Sequence, residues 1–211
     1  MSVIPAWKLS DRTAAERTFA PADEAERLRA GRFRDLQKAQ DYLHARHLVR
    51  TLAAETFDLP AEEIGLQVFD DACPRLTGFD AAGISWSRSG GLALAACLPE
   101  GRVGADLEVV RPVEVRSILG MIAQQAEAET VLAADSDDCR LRRFYRLWCA
   151  KEALLKRRGT GLRGGAKTVS VPVDFIRGET SRVTLDDQGS AVDLLALDAA
   201  AGCVAVLAFS G

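Results

Sequence analysis

The chain has 211 residues, of which 48% are hydrophobic and 27% charged, with a net charge of −3. This is ordinary globular composition, long enough for one large domain or two small ones, and it excludes collagenous, low-complexity and disordered classes. The five cysteines (Cys73, Cys97, Cys139, Cys149 and Cys203) form no CxxC pair, so neither a disulfide framework nor a zinc site is expected. They are read as reduced and mostly buried.

The N-terminal stretch MSVIPAWKLSDR holds no basic leader followed by an apolar run, and no later segment reaches membrane-spanning length without charges. A cytoplasmic protein with no membrane partner is therefore expected. Pro21 to Phe57 reads as helical, with a long amphipathic run from about Phe33. His44 and His47 lie on it at i,i+3 and are read as partly exposed helix residues, since the chain offers no third histidine for a metal site. Leu66 to Phe69, Ile84 to Ser87 and Leu92 to Leu98 read as short strands. The turn LPEGR is expected to join Leu92 to Leu98 with Val103 to Glu108 as a hairpin. After Pro112 the pattern turns helical through Ile122 to Ala134 and Cys139 to Arg158, and Gly159, Gly161, Gly164 and Gly165 end it. Strand-like runs follow at Val169 to Val173, Arg182 to Leu185, Val192 to Leu197 and Cys203 to Phe209. Each half runs helices first and strands second, so an α+β fold of two subdomains is expected, residues 1–105 and 106–211. No repeat is visible residue by residue.

Charge is unevenly placed. From Arg140 to Lys167 there are ten basic residues and one acid, Glu152, so the segment carries +9 and the remainder −12. That asymmetry points to a localised anionic partner and away from nucleic acid, although a solvated helix face would look the same.

Two segments carry chemistry. If GADLE (Gly104 to Glu108) is a strand, Asp106 and Glu108 share a face, because side chains alternate with a period of two. If FYRLWCAKEALLK (Phe144 to Lys156) is a helix, Trp148, Glu152 and Lys156 form one stripe. Three carboxylates that can converge beside a lysine suit an oxygen-ligated Mg²⁺ that handles a phosphate, hence phosphoryl-type transfer. Lys151 is a second phosphate candidate, although it is rotated about a hundred degrees from Glu152 and could equally form a surface pair. Trp148 is read as a packing anchor, since indole has no titration to offer. Singly, a strand DxE or a helical Glu–Lys pair is commonplace.

Together, GADLEVVRP and FYRLWCAKEALLKRRGTGL, about forty residues apart, resemble the signature pair of the Sfp-type 4′-phosphopantetheinyl transferases. That pattern is G-V/I-D-L/I/V-E, then W-x-x-K-E-A/S-x-x-K, then a glycine-containing segment such as G-x-G-L. The matching positions are Asp106, Glu108, Trp148, Lys151, Glu152, Lys156, Gly159, Gly161 and Leu162, and the wider resemblance runs from about residue 20 to the end. It implies a pseudo-twofold monomer of two α+β halves with coenzyme A in the cleft between them. The implied reaction moves phosphopantetheine from coenzyme A to a serine of an apo acyl- or peptidyl-carrier protein, releasing adenosine 3′,5′-bisphosphate. By the same resemblance, Asp106, Glu108 and Glu152 hold Mg²⁺ against the pyrophosphate, and Glu152 takes the serine proton. Lys156 stabilises the leaving phosphate oxygen, with Lys151 a further phosphate contact. The basic segment would draw an acidic carrier protein.

The first half departs from that family. Where relatives carry N-x-S-H-S, this chain reads GISWSRSGG, so Trp86 stands at the histidine position. Ser85 and Ser87 remain as hydroxyl donors, Arg88 supplies the lost positive charge, and Trp86 either stacks on adenine or packs in the core. The G-K/R-P segment is altered to ACPRL, with Cys73 in the basic position and Arg75 displaced by two. The helix YLHARHLVRTL resembles the family's arginine-bearing helix near the 3′-phosphate, which makes Arg46 a nucleotide ligand. Alternatively Arg46 and Arg50 pair with local acids such as Asp41 or Glu55. Two rival functions are a coenzyme A- or carrier-binding paralogue without catalysis, and an unrelated Mg²⁺-dependent phosphotransferase. The intact carboxylates argue against the first, and the lack of a Gly-x-x-x-x-Gly-Lys-Ser/Thr loop against the second.

Overall fold

Two 22-residue helices, each capped at both ends by local chemistry, set the frame of the computed structural model, which describes residues 3–13, 17–69, 72–161, 165–199 and 202–211. Helix α2 (Leu36–Phe57) starts where the Asp35 side chain accepts the Gln37 N–H and stops at Asp58, in the left-handed region at φ 54°. Helix α5 (Asp137–Arg158) starts where Ser136 accepts the Cys139 N–H and stops at Gly159, φ 79°. Acids in its first turn and Lys156, Arg157 and Arg158 in its last complement the helix dipole.

The remaining elements are β1 (Ala6–Asp11), α1 (Glu24–Ala30), β2 (Leu66–Gln67), β3 (Arg75–Leu76), β4 (Gly83–Ser89), β5 (Leu92–Leu98), β6 (Arg102–Val109), α3 (Val115–Ile122), α4 (Gln125–Leu132), α6 (Val173–Arg177), β7 (Arg182–Asp187), β8 (Ser190–Ala196) and β9 (Cys203–Ser210). One antiparallel sheet has the order β1-β5-β4, the other β6-β9-β8-β7, and β2 pairs with β3. The fold is α+β. Strand alternation sends one face of each sheet to its helix and the other to its partner sheet. Ala93, Ala95 and Cys97 pack with Leu48, Val49 and Leu52 of α2, while Leu94, Ala96 and Leu98 pack with Val103, Ala105, Leu107, Leu207 and Phe209. Val206 and Ala208 turn to Leu147, Ala150 and Leu154 of α5.

The halves share a topology. In each, the opening strand (β1 or β6) pairs with the last strand (β5 or β9), which pairs with the one before it (β4 or β8), and a 22-residue helix lies between. Each half thus opens on a strand, not on helices. Strand β6 belongs to the second sheet, with Ala105 opposite Leu207 and Asp106 opposite Val206. The change of sheet therefore falls at 99–101, and a division between 105 and 106 would cut one strand in two. For the same reason Leu92–Leu98 and β6 are not a hairpin: the turn carries the chain between sheets. Val169 to Val173 is not a strand either; Val169 and Val171 are buried in an irregular approach to α6. His44 is buried, its Nε2 2.9 Å from Ser10 Oγ and its ring stacked 4.9 Å from Phe19, whereas His47 is exposed. All five cysteines are free; Cys97 and Cys149 are buried and the other three half-buried. Among the described residues, no helix is long and apolar enough to cross a membrane.

Helix α5 lies directly on β6 at Gly104. A Cβ there would overlap Ala153 O and come within 2.6 Å of Arg157 N. Gly104→Ala is therefore expected to destabilise the fold by about 3 kcal/mol, the upper end of overpacking costs, measured by denaturant unfolding. Stability equal to the parent would contradict this backbone-to-backbone packing.

Candidate active site

Gly104, Asp106 and Glu108 share one face of β6, and the close approach at Gly104 brings Glu152 and Lys156 of α5 over it. Lys156 Nζ donates to Asp106 Oδ1 at 2.7 Å and to Ala105 O at 3.0 Å. Ser87 Oγ of the other sheet donates to the same Oδ1 at 2.9 Å, and Ser89 Oγ to Glu108 Oε2 at 2.7 Å. Two carboxylate oxygens, Asp106 Oδ2 and Glu152 Oε1, are buried without a hydrogen-bond partner. Burial pushes the carboxyl of Glu152 above the usual range and the nearby Asp106 charge pushes it further, with Lys156 opposing both. Glu108 is raised by burial first, against the hydrogen bond from Ser89, and Asp106 raises it again. Concentrated negative charge with orphaned oxygens fits a hard divalent cation such as Mg²⁺. Nevertheless, among the described residues no three His, Cys, Asp or Glu side chains close into a group able to hold a metal. The three expected ligands reach one face and sense one another's charge, with the Lys156 ammonium resting on Asp106.

The first half supplies a cleft of about 630 Å³ lined by Arg29, Arg32, Arg46, Tyr42, Trp86 and Arg88, among others. Buried Arg46 gives Nε to Glu26 Oε1 at 2.7 Å, lies 4.9 Å from the Trp86 ring and keeps one terminal nitrogen without a partner. Arg88 is exposed and lies 5.6 Å from the Phe33 ring. The acids that hold Arg46 and Arg50 are Glu26 and Asp23, because Asp41 is taken by Arg12 and Glu55 by Lys8. Trp86 and Val68 also line a smaller pocket of about 220 Å³ containing Ser85, Cys73 and Lys156. The indole is thus a wall common to the arginine cleft and the lysine end. Arg29 and Arg32 escaped the sequence reading because single arginines on a short surface helix and its following turn carry no distinguishing pattern.

Three expectations are corrected. Lys151 does not face the site: its buried ammonium meets Glu127 Oε2 at 2.8 Å, Ala166 O at 3.0 Å and Val169 O at 2.7 Å. A helix residue a hundred degrees from Glu152 points into the core of its own half. Ser85 is buried and accepts the Ala105 N–H at 2.9 Å, spanning the seam between the sheets. The basic segment is largely consumed internally. Arg140 and Arg142 pair with Asp137 and Asp138, Arg146 caps Phe175 O and Thr180 O, and Arg157 and Arg158 grip Asp187. Leu162 and Arg163 lie outside the described residues. At the altered ACPRL segment, the Cys73 thiol meets the carbonyls of Lys156 and Arg157, 3.4 and 3.3 Å away, at the end of α5.

Residues 102–205 match the family described as the 4′-phosphopantetheinyl transferase superfamily. The chain is 24% identical over 169 residues to the L-aminoadipate-semialdehyde dehydrogenase-phosphopantetheinyl transferase of Xenopus laevis, covering 75% of this chain and 56% of that protein. It is 25% identical over 174 residues to the 4′-phosphopantetheinyl transferase psf-1 of Bacillus pumilus, covering 82% and 73%. Against the 4′-phosphopantetheinyl transferase AcpT of Salmonella typhimurium identity rises to 34%, over 85 residues that cover 38% and 44%. The matches span only 50 to 59% of the length of the first relatives matched. The family-matched segment, residues 102–205, holds Asp106, Glu108, Glu152 and Lys156 and excludes the arginine cleft.

The Lys151–Glu127 pair is separable from chemistry by mutation. Lys151→Ala strands a buried carboxylate and is expected to cost about 3–5 kcal/mol in unfolding free energy. A stable variant with weakened coenzyme A binding would return Lys151 to the site.

Proposed function

We propose that the protein is an Sfp-type enzyme that transfers 4′-phosphopantetheine from coenzyme A to a serine of an apo carrier protein, with Mg²⁺, releasing adenosine 3′,5′-bisphosphate. The observation that carries this reading is the pairing of a carboxylate–lysine cluster on β6 and α5 with an arginine-lined cleft that shares the Trp86 wall. Asp106, Glu108 and Glu152 would hold the Mg²⁺, which neutralises charge on the pyrophosphate and polarises phosphorus. Glu152 accepts the proton of the serine hydroxyl, a role suited to a carboxyl whose affinity for protons is raised. The serine oxygen bonds to the phosphorus next to pantetheine as the bridging P–O bond breaks, and the electron pair leaves on the nucleotide phosphate. Lys156 exchanges Asp106 for that leaving oxygen and stabilises its charge. Arg46 and Arg88, with Arg29 and Arg32, take the phosphate at the adenosine end. The acceptor is an acyl- or peptidyl-carrier protein. The enzyme is read as cytoplasmic, and as a monomer because one chain supplies both the cleft and the carboxylates.

Intact-mass assay of apo carrier proteins from fatty-acid, polyketide and nonribosomal-peptide systems, incubated with coenzyme A and Mg²⁺, tests the reaction. Asp106→Ala and Glu152→Ala should each lower turnover more than a hundredfold while the protein stays folded, because each removes a carboxylate and no core volume. Near-normal turnover of either at saturating Mg²⁺ would refute the assignment. Arg88→Ala should raise the KM for coenzyme A roughly tenfold, as expected for one charge-assisted phosphate bond, with a smaller change in kcat. Dephospho-coenzyme A, which lacks the 3′-phosphate, should show much less effect; an equal loss with both would exclude an Arg88–phosphate contact.

A further inference from the structure

We propose that Ser87 and Ser89 of β4 are positioning residues that reach across the sheet boundary to orient Asp106 and Glu108 for cation binding. The proposal rests on the reading that those carboxylates hold the divalent cation.

Strands β4 and β6 lie side by side but belong to different sheets and share no backbone ladder. Their seam is made by three serines at alternate positions of β4, all turned toward β6 as a period of two requires. Ser85 and Ser89 use hydroxyl oxygens in place of ladder carbonyls, accepting the N–H of Ala105 at 2.9 Å and of Val109 at 3.2 Å. Ser87, between them, makes no such bond and instead gives its proton to Asp106 Oδ1.

The direction of the Ser89 bond follows from counting. Its oxygen accepts from Val109 N–H and from an Arg111 terminal nitrogen at 3.2 Å, which uses both lone pairs. Its single proton is therefore committed to Glu108 Oε2, 2.7 Å away. Each serine grips one oxygen of its carboxylate, and on Asp106 Lys156 shares that same oxygen, so Oδ2 is left buried and unpartnered. A neutral hydroxyl fixes the carboxylate plane without adding to the positive charge that Lys156 already brings to Asp106. Partners of this type acting behind metal ligands commonly change affinity by 10–100-fold when removed.

The test is Mn²⁺ binding to the purified protein, followed by electron paramagnetic resonance and calorimetry with no coenzyme A or carrier present. Ser87→Ala and Ser89→Ala are each expected to weaken Mn²⁺ binding about tenfold or more, and Ser87→Thr and Ser89→Thr, which keep the donor, to restore most of it. Ser85→Ala, which loses only a backbone contact, should lower the thermal midpoint and leave Mn²⁺ affinity within about twofold. Asp106→Ala should abolish binding. If Asp106→Ala fails to bind while Ser87→Ala and Ser89→Ala bind like the parent, the serines only join the sheets and the proposal is overturned. Undiminished binding by Asp106→Ala would instead overturn the metal-site reading itself, and the proposal with it.

Discussion

The contact between Gly104 and helix α5 is the constraint from which the site follows. With no side chain at 104, the α5 backbone around Ala153 and Arg157 settles against β6, closer than any Cβ would allow. One strand step of two and one helical turn then fix the chemistry, because Asp106 lies two residues from the contact and Lys156 lies one residue from Arg157. A helix riding on side chains would stand off by a further layer, and the 2.7 Å bond from Lys156 to Asp106 would be out of reach. The opening glycine of GADLE is thus as much a part of the site as its two acids.

Around that contact the molecule is duplicated in topology and differentiated in chemistry. Both halves have an opening strand, a 22-residue helix and closing antiparallel strands in the same pairing order. In the first half the long helix carries Arg46, held by Glu26, toward the cleft; in the second it carries Glu152 and Lys156. The sheets meet through an apolar layer of Leu94, Leu98, Leu107 and Phe209 and through the serine seam, so the arginine cleft and the carboxylate cluster are parts of one packed body. Every serine of the seam is hydrogen-bonded across the boundary between the sheets.

Burial raises the proton affinity of Glu108 and Glu152, and two buried oxygens have no partner, whereas the buried pairs Lys151 with Glu127 and Arg157 with Asp187 are closely matched. Unbalanced charge beside balanced charge is the physical signature of a place prepared for a ligand.

Sequence by itself determined the α+β class, nearly all of the long elements and the faces that Asp106, Glu108, Glu152 and Lys156 share, because each depends on a local period: two along GADLE, 3.6 along FYRLWCAKEALLK. It could not decide which strands pair, since β5 and β6 carry the same hydrophobic pattern whether they form a hairpin or part company into two sheets. It missed β1, whose half-exposed edge alternates too weakly to stand out. Tertiary structure alone decided the fate of the charges. Lys151 and Lys156 look equivalent in a motif, yet five residues of helix turn one into the core against Glu127 and leave the other over Asp106. Likewise the +9 segment promised a basic face; Arg140 and Arg142 meet Asp137 and Asp138 one turn away on the same helix, but Arg157 and Arg158 meet Asp187, and Arg146 meets backbone carbonyls, that only the fold brings near. Periodicity is a property of neighbours along the chain, whereas the partner of a charge is a property of neighbours in space.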